Sequence, residues 1–141
     1  MTTVIDGNVE VTFYENGVRS DGPDTGQLYD RVRLLDNGYC HGLITQGYQQ
    51  EFHPPGEIVE VVKHESNGAP IPDGEHRISH GADIHFIGDS DIMPSDEVTL
   101  LHSGWVAARL HGGGATYIPQ HRIEGIYTHT TDEQESAGWF R

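Results

Sequence analysis

The chain reads as a mainly β domain, a small antiparallel sheet or partly open barrel built from short hairpins, with an α+β arrangement as the alternative. Three observations predict it. Short runs alternate apolar and polar residues, Gly, Asn and Asp punctuate them, and no window sustains helical periodicity over about three turns. At 141 residues the chain fits one domain, long enough to bury roughly two thirds of its unfolded surface.

Taken in order, Val9-Glu10-Val11-Thr12-Phe13-Tyr14 alternates and meets Asn16-Gly17, whose tolerance of positive φ suits a tight hairpin with a return from Val18. A loop follows over 22–26. Residues 1–27 therefore read as an N-terminal hairpin extension covering a sheet edge, and 28–141 as the single mainly β domain. A second hairpin spans Leu28 to Leu35 and Tyr39 to Thr45, turning at Asp36-Asn37-Gly38. Pro54-Pro55-Gly56 ends what precedes it, and Glu57 to His64 supplies an apolar strand. Loops at 67–70 and 72–74 lead to strands at Asp83 to Ile87 and Glu97 to His102. Trp105 to His111 pairs with Thr116 to Ile118 across three glycines, and the acidic stretch 131–136 is a solvated loop or weak helical turn ahead of Trp139 and Phe140, which dock on the core. No internal repeat is read.

Charge is lopsided: 8 Lys and Arg stand against 22 Asp and Glu, for a formal net charge of −14. Lys63 is the sole lysine. This acidic, lysine-poor composition points to a halophilic protein working in molar salt, where the Debye length falls to about 3 Å or less. It argues against broad attraction to nucleic acid or to an anionic membrane, but not against one local anion site. Ten histidines make solubility depend on pH. Cys40 is the only cysteine, so neither an intrachain disulfide nor an intrachain thiolate cluster can form. The opening residues carry no signal-peptide pattern, and no run of about 18 apolar residues occurs. A cytoplasmic protein without membrane contact is expected.

The segment Ile118-Pro119-Gln120-His121-Arg122-Ile123 sets an imidazole beside a guanidinium after a Pro-closed strand. Arg offers a planar fork of donors matched to phosphate, and His donates or exchanges a proton near neutral pH. With His64 and the turn Asn67-Gly68-Ala69-Pro70, where Gly68 lets backbone N–H groups approach an anion, His121 and Arg122 form a candidate phosphate pocket. A second constellation, His76, His80, Asp83 and His85, offers ligands for Zn or Fe, and on a strand Asp83 and His85 share a face. Cys40 and His41 are adjacent, so a strand points them apart. No Walker loop, Gly-x-Ser-x-Gly elbow or dinucleotide fingerprint is present.

In order along 57–141, His64, Asn67-Gly68-Ala69-Pro70, Ile78-Ser79-His80-Gly81-Ala82-Asp83-Ile84, Ile118-Pro119-Gln120-His121-Arg122-Ile123 and the late Trp139 make a pattern. It resembles the archaeal RNA cyclic-group end recognition domain. Two departures stand out: Glu65 and Ser66 follow His64 where that family carries Arg, and Gln120 replaces an aromatic. The resemblance implies a noncatalytic module, without cofactor, that binds a phosphorylated or cyclic-phosphate RNA end through His64, Asn67, Gly68, His121 and Arg122. Two alternatives stand beside it. One is a metal-dependent β-barrel enzyme using His76, His80, Asp83 and His85; the other is a viral or complex assembly subunit whose exposed strands dock onto a protein partner or further copies of the chain.

Overall fold

A computed structural model describes residues 2–14, 25–63, 74–79, 81–88, 90–110 and 114–128. The chain is mainly β, as its alternation predicts, with antiparallel sheets that do not close into a barrel. Among the described residues twelve strands follow one another: β1 (Thr3–Phe13), β2 (Thr25–Leu34), β3 (Cys40–Ile44), β4 (Gln49–His53), β5 (Ile58–Lys63), β6 (His76–Ile78), β7 (Ala82–Phe86), β8 (Ile92–Ser95), β9 (Glu97–Leu100), β10 (Val106–Arg109), β11 (Ala115–Ile118) and β12 (Ile123–Thr128). A nine-stranded sheet runs β4-β3-β2-β1-β5-β11-β10-β9-β6, and a three-stranded one runs β12-β7-β8.

That order contains the same unit twice. In the first half the strands lie β5-β1-β2-β3-β4. In the second, β12 takes the place of β5, β7 and β6 that of β1, β8 and β9 that of β2, and β10 and β11 those of β3 and β4. Registers agree in detail. Ile5 pairs Val32 and Val9 pairs Tyr29 in one half, while Ile78 pairs Val98 and Ala82 pairs Ser95 in the other. Phe13 faces Ile58 and Phe86 faces Ile123, each beside a register shift.

The sequence repeats beneath this, faintly. Val32-Arg33-Leu34-Leu35-Asp36-Asn37-Gly38-Tyr39 lies over Val98-Thr99-Leu100-Leu101-His102-Ser103-Gly104-Trp105. Both segments make the same turn, with Leu35 N–H donating to Tyr39 O and Gly38 N–H to Leu35 O, matched by Leu101 to Trp105 and Gly104 to Leu101. Gly38 and Gly104 have φ of 92° and 88°, a left-handed conformation that glycine adopts without steric cost. Each repeat then closes its fourth strand with a proline, Pro54 or Pro119, and a 3-10 turn, Pro55–Glu57 or Gln120–Arg122.

Two hydrophobic clusters fill the interior. One joins Val9, Val11, Val32, Leu34, Ile58 and Val61 of the first repeat to Trp105, Ala107, Ala115 and Tyr117 of the second. The other holds Ala82, Ile84, Phe86, Val98, Val106 and Ile118 within the second repeat. The seam between repeats is a strand pairing: Lys63, Val62 and Val61 of β5 face Ala115, Thr116 and Tyr117 of β11.

The expected hairpin at Asp36-Asn37-Gly38, the strand before His64 and the pairing of β10 with β11 are all present. The N-terminal segment differs from its expected role. β1 lies between β2 and β5 at the middle of the large sheet, because Val9 and Val11 are fully buried there and cannot serve as an edge cover. The turn expected at Asn16-Gly17 lies outside the described residues, as do the acidic stretch 131–136, Trp139 and Phe140. β4 and β12 were not anticipated, since Gln49-Gln50-Glu51 and Glu124-Gly125 interrupt the alternation that marks a strand.

Candidate functional site

His121 and Arg122 stand side by side on the second 3-10 turn, as their adjacency predicts, but His121 Nε2 and Arg122 Nη1 engage backbone carbonyls. His121 Nε2 lies 2.8 Å from Pro55 O and 3.1 Å from Ile58 O. Both neighbours are acceptors, so this nitrogen carries the proton and donates to them. Arg122 Nη1 donates to Val59 O at 2.8 Å, and its guanidinium carbon sits 4.6 Å from the centre of the Phe86 ring. Together they bind the second 3-10 turn to the backbone that leaves the first. The proposed companions His64, Asn67 and Gly68 lie outside the described residues.

Beyond the stacked face of Arg122 is an open depression of about 540 Å³, lined by Phe86, Ile92, Met93, Pro94, Leu110, Glu60 and Asp91. It is largely apolar; the Glu60 and Asp91 carboxylates on its lining oppose a phosphate there, and the Arg122 guanidinium favours one. A second cavity, of about 380 Å³, lies on the seam between the repeats. Asn37, Gly38, Pro55 and Gly56 come from the first repeat, and Ser103, Gly104, Gln120 and His121 from the corresponding places in the second. Trp105 ties the two turns together there by donating from Nε1 to Gly38 O at 2.8 Å, fully buried.

Of the metal-ligand candidates, His76 lies on β6 in the large sheet, while Asp83 and His85 alternate on β7 and share its outward face, as predicted. His85 packs edge-on against Tyr127 with ring centres 4.5 Å apart. His80 lies outside the described residues. Among the described residues, no three His, Cys, Asp or Glu side chains gather closely enough to hold an ion.

Titratable groups concentrate at β4. Tyr29 Oη donates to Glu51 Oε1 at 2.8 Å, the same oxygen lies 3.0 Å from His53 Nε2, and Gln49 Nε2 donates to Glu51 Oε2 at 2.6 Å. The hydrogen bonds from His53 and Tyr29 hold the Glu51 carboxyl below its ordinary value. Burial first, and then Glu51, raises the Tyr29 phenol well above its own. This cluster fixes β4 to the sheet. On the opposite face of β4, Phe52 stacks on His41 at 4.4 Å between ring centres, yet Phe52 keeps 58 % of its surface exposed.

The exposed aromatics are the residues that reading the sequence for polar chemistry passed over. Tyr39 and Phe52 stand where the second repeat has Trp105 and Tyr117, and that correspondence was visible in the two Leu-Leu-x-x-Gly-aromatic turns. No family model, no characterised protein and no solved structure matches the chain. No helix of the described residues is long and apolar enough to cross a membrane.

Proposed function

We propose that the protein is a noncatalytic assembly subunit that docks through the outer edge of β4, which has no strand partner among the described residues, and the aromatic face beside it. The observation that carries this reading is the exposure of Tyr39 and Phe52, at 39 % and 58 %, at positions whose counterparts Trp105 and Tyr117 are 1 % and 4 % exposed. Natural sheets protect their edges with short strands, prolines, bulges or inward charges. The described strand ends follow that rule unevenly: β6 has three residues and β8 contains Pro94, whereas β4 runs five residues without proline or register shift. An unprotected edge flanked by exposed aromatics suits strand addition, in which main-chain bonds supply affinity and side chains supply choice of partner.

The test is photo-crosslinking in cells from a reactive residue at position 52, with position 28 as control, since Leu28 is also exposed. Protein adducts are expected from position 52 alone. Adducts from neither position overturn the reading.

A second reading is an RNA-end module. The resemblance over 57–141 and the place of Arg122 on the 540 Å³ depression support it; the use of His121 and Arg122 on backbone carbonyls weighs against it. Short RNAs ending in hydroxyl, 3′-phosphate or 2′,3′-cyclic phosphate decide it. A preference for one phosphorylated end that survives molar salt supports this reading, and equal or absent binding removes it.

A further inference from the structure

From the internal seam we infer that the occupant of β4 is β12 of a second copy of this chain, so that copies join head to tail. The inference rests on the assembly reading above and names its partner. Within the chain, the first repeat offers the outer edge of β5, and the second fills it with β11. By the duplication, β12 is the second repeat's β5 and β4 is the first repeat's β11. These are the two strands left at the ends of the repeated order, each with one neighbour among the described residues, β3 for β4 and β7 for β12. The chain thus carries both halves of a junction it has already made once.

The register follows from the internal one. Lys63 faces Ala115, Val62 faces Thr116 and Val61 faces Tyr117 across β5 and β11. Carried to the free edges, Thr128 of one copy faces Gln50 of the next, Tyr127 faces Glu51 and Ile126 faces Phe52. The side chains suit this. Tyr117 against Val61 becomes Phe52 against Ile126, an aromatic beside an aliphatic in both cases, the kind of cross-strand pair that stabilises antiparallel sheets. Trp105, buried at the seam by its bond to Gly38 O, corresponds to Tyr39, which would lie over the Gly104 turn of the neighbour. Tyr127, itself 55 % exposed, is covered by the same contact.

The geometry is heterologous, with two different surfaces meeting. Such a junction repeats until it closes a ring or extends as a filament. Its component strands form on the free chain, so joining them requires no refolding.

The experiment mixes two single variants of the full chain, Gln50→Cys and Thr128→Cys, in molar salt with a short bismaleimide. The native Cys40 is buried, and unmodified protein serves as the control for it. The expected result is a two-chain adduct from the mixture and none from either variant alone. Adducts from Gln50→Cys alone indicate symmetric β4 pairing and overturn the head-to-tail junction while leaving assembly in place. If the mixture gives none while position 52 crosslinks a different protein in cells, the second-copy partner is overturned and the docking edge stands. Should Thr128→Cys unfold, Tyr127→Cys takes its place, and should Gln50→Cys unfold, Gln49→Cys does, with the same outcomes.

Discussion

Arg122 is best understood by what its guanidinium touches, a backbone carbonyl on one side and the Phe86 ring on another. A hydrogen bond from a charged donor typically contributes about 1.5–3 kcal/mol, so Arg122→Ala is expected to lower unfolding stability by about that much in a urea titration. Arg122→Lys should recover only part of the loss, because an ammonium lacks the planar face that stacks. Gly42 carries a different constraint. A Cβ there would come within 2.4 Å of the Tyr29 ring, which Glu51 holds in place. Gly42→Ala is expected to cost about 1–3 kcal/mol through overpacking, read as a shift of the same urea midpoint. In the second repeat the corresponding pair is Ser95 and Ala108, both small, so the second repeat has no ring at this position.

Single groups also set the pH limits. Burial pushes the Cys40 thiol from 9.0 up to about 12 and the Tyr117 phenol from 10.0 to about 12. Between those values the unfolded chain releases protons that the folded chain keeps, so stability contributed by these groups is complete below about pH 9 and is lost as pH rises toward 12. Glu51 works in the opposite sense. Its folded value is depressed below 4.5, so its contribution is present above that pH and disappears as pH falls through the folded value. Unfolding midpoints measured from pH 3 to 11 are expected to fall at both ends. A flat alkaline limb would contradict the burial assigned to Cys40 and Tyr117.

Between elements, the bond from Trp105 to Gly38 O couples the two repeated turns. Trp105→Phe removes that donor and leaves a buried carbonyl unpaired, at an expected cost of about 1–3 kcal/mol. Thermal unfolding of the variant checks it. The elements differ in how plainly the sequence displays them. The β2–β3 hairpin was legible because Asn37-Gly38 dictates a turn between alternating runs, and the strand before His64 because Ile58-Val59-Glu60-Val61-Val62 leaves little else to do. β4 was hidden: an edge strand facing solvent has no need of apolar alternation, and Gln49-Gln50-Glu51 resembles a loop. The site was partly legible. His121 and Arg122 are together as their spacing dictates, but a polar pair on a turn can serve backbone carbonyls or a ligand equally well, and only the position of Pro55–Val59 decides between them. The repeat is faint in the sequence because its halves share turns and registers while buried positions change size, as Tyr29 against Ser95 shows.

For the whole molecule, duplication and charge act together. Two repeats joined edge to edge leave a complementary pair of edges at the ends of the strand order. A net charge of −14 keeps copies apart where the Debye length is about 10 Å, near 0.1 M salt, and less so where it is about 3 Å, near 1 M. Assembly is therefore expected to strengthen as salt rises, the reverse of what an RNA-binding surface would show. The most direct measurement is sedimentation of the full chain in molar salt over a wide concentration range, beside a Tyr39→Asp, Phe52→Asp double variant whose folding is verified by cooperative unfolding. The account predicts that the unaltered chain grows to species of several chains while the folded double variant stays at the mass of one. An unaltered chain that remains a monomer at every concentration would contradict it.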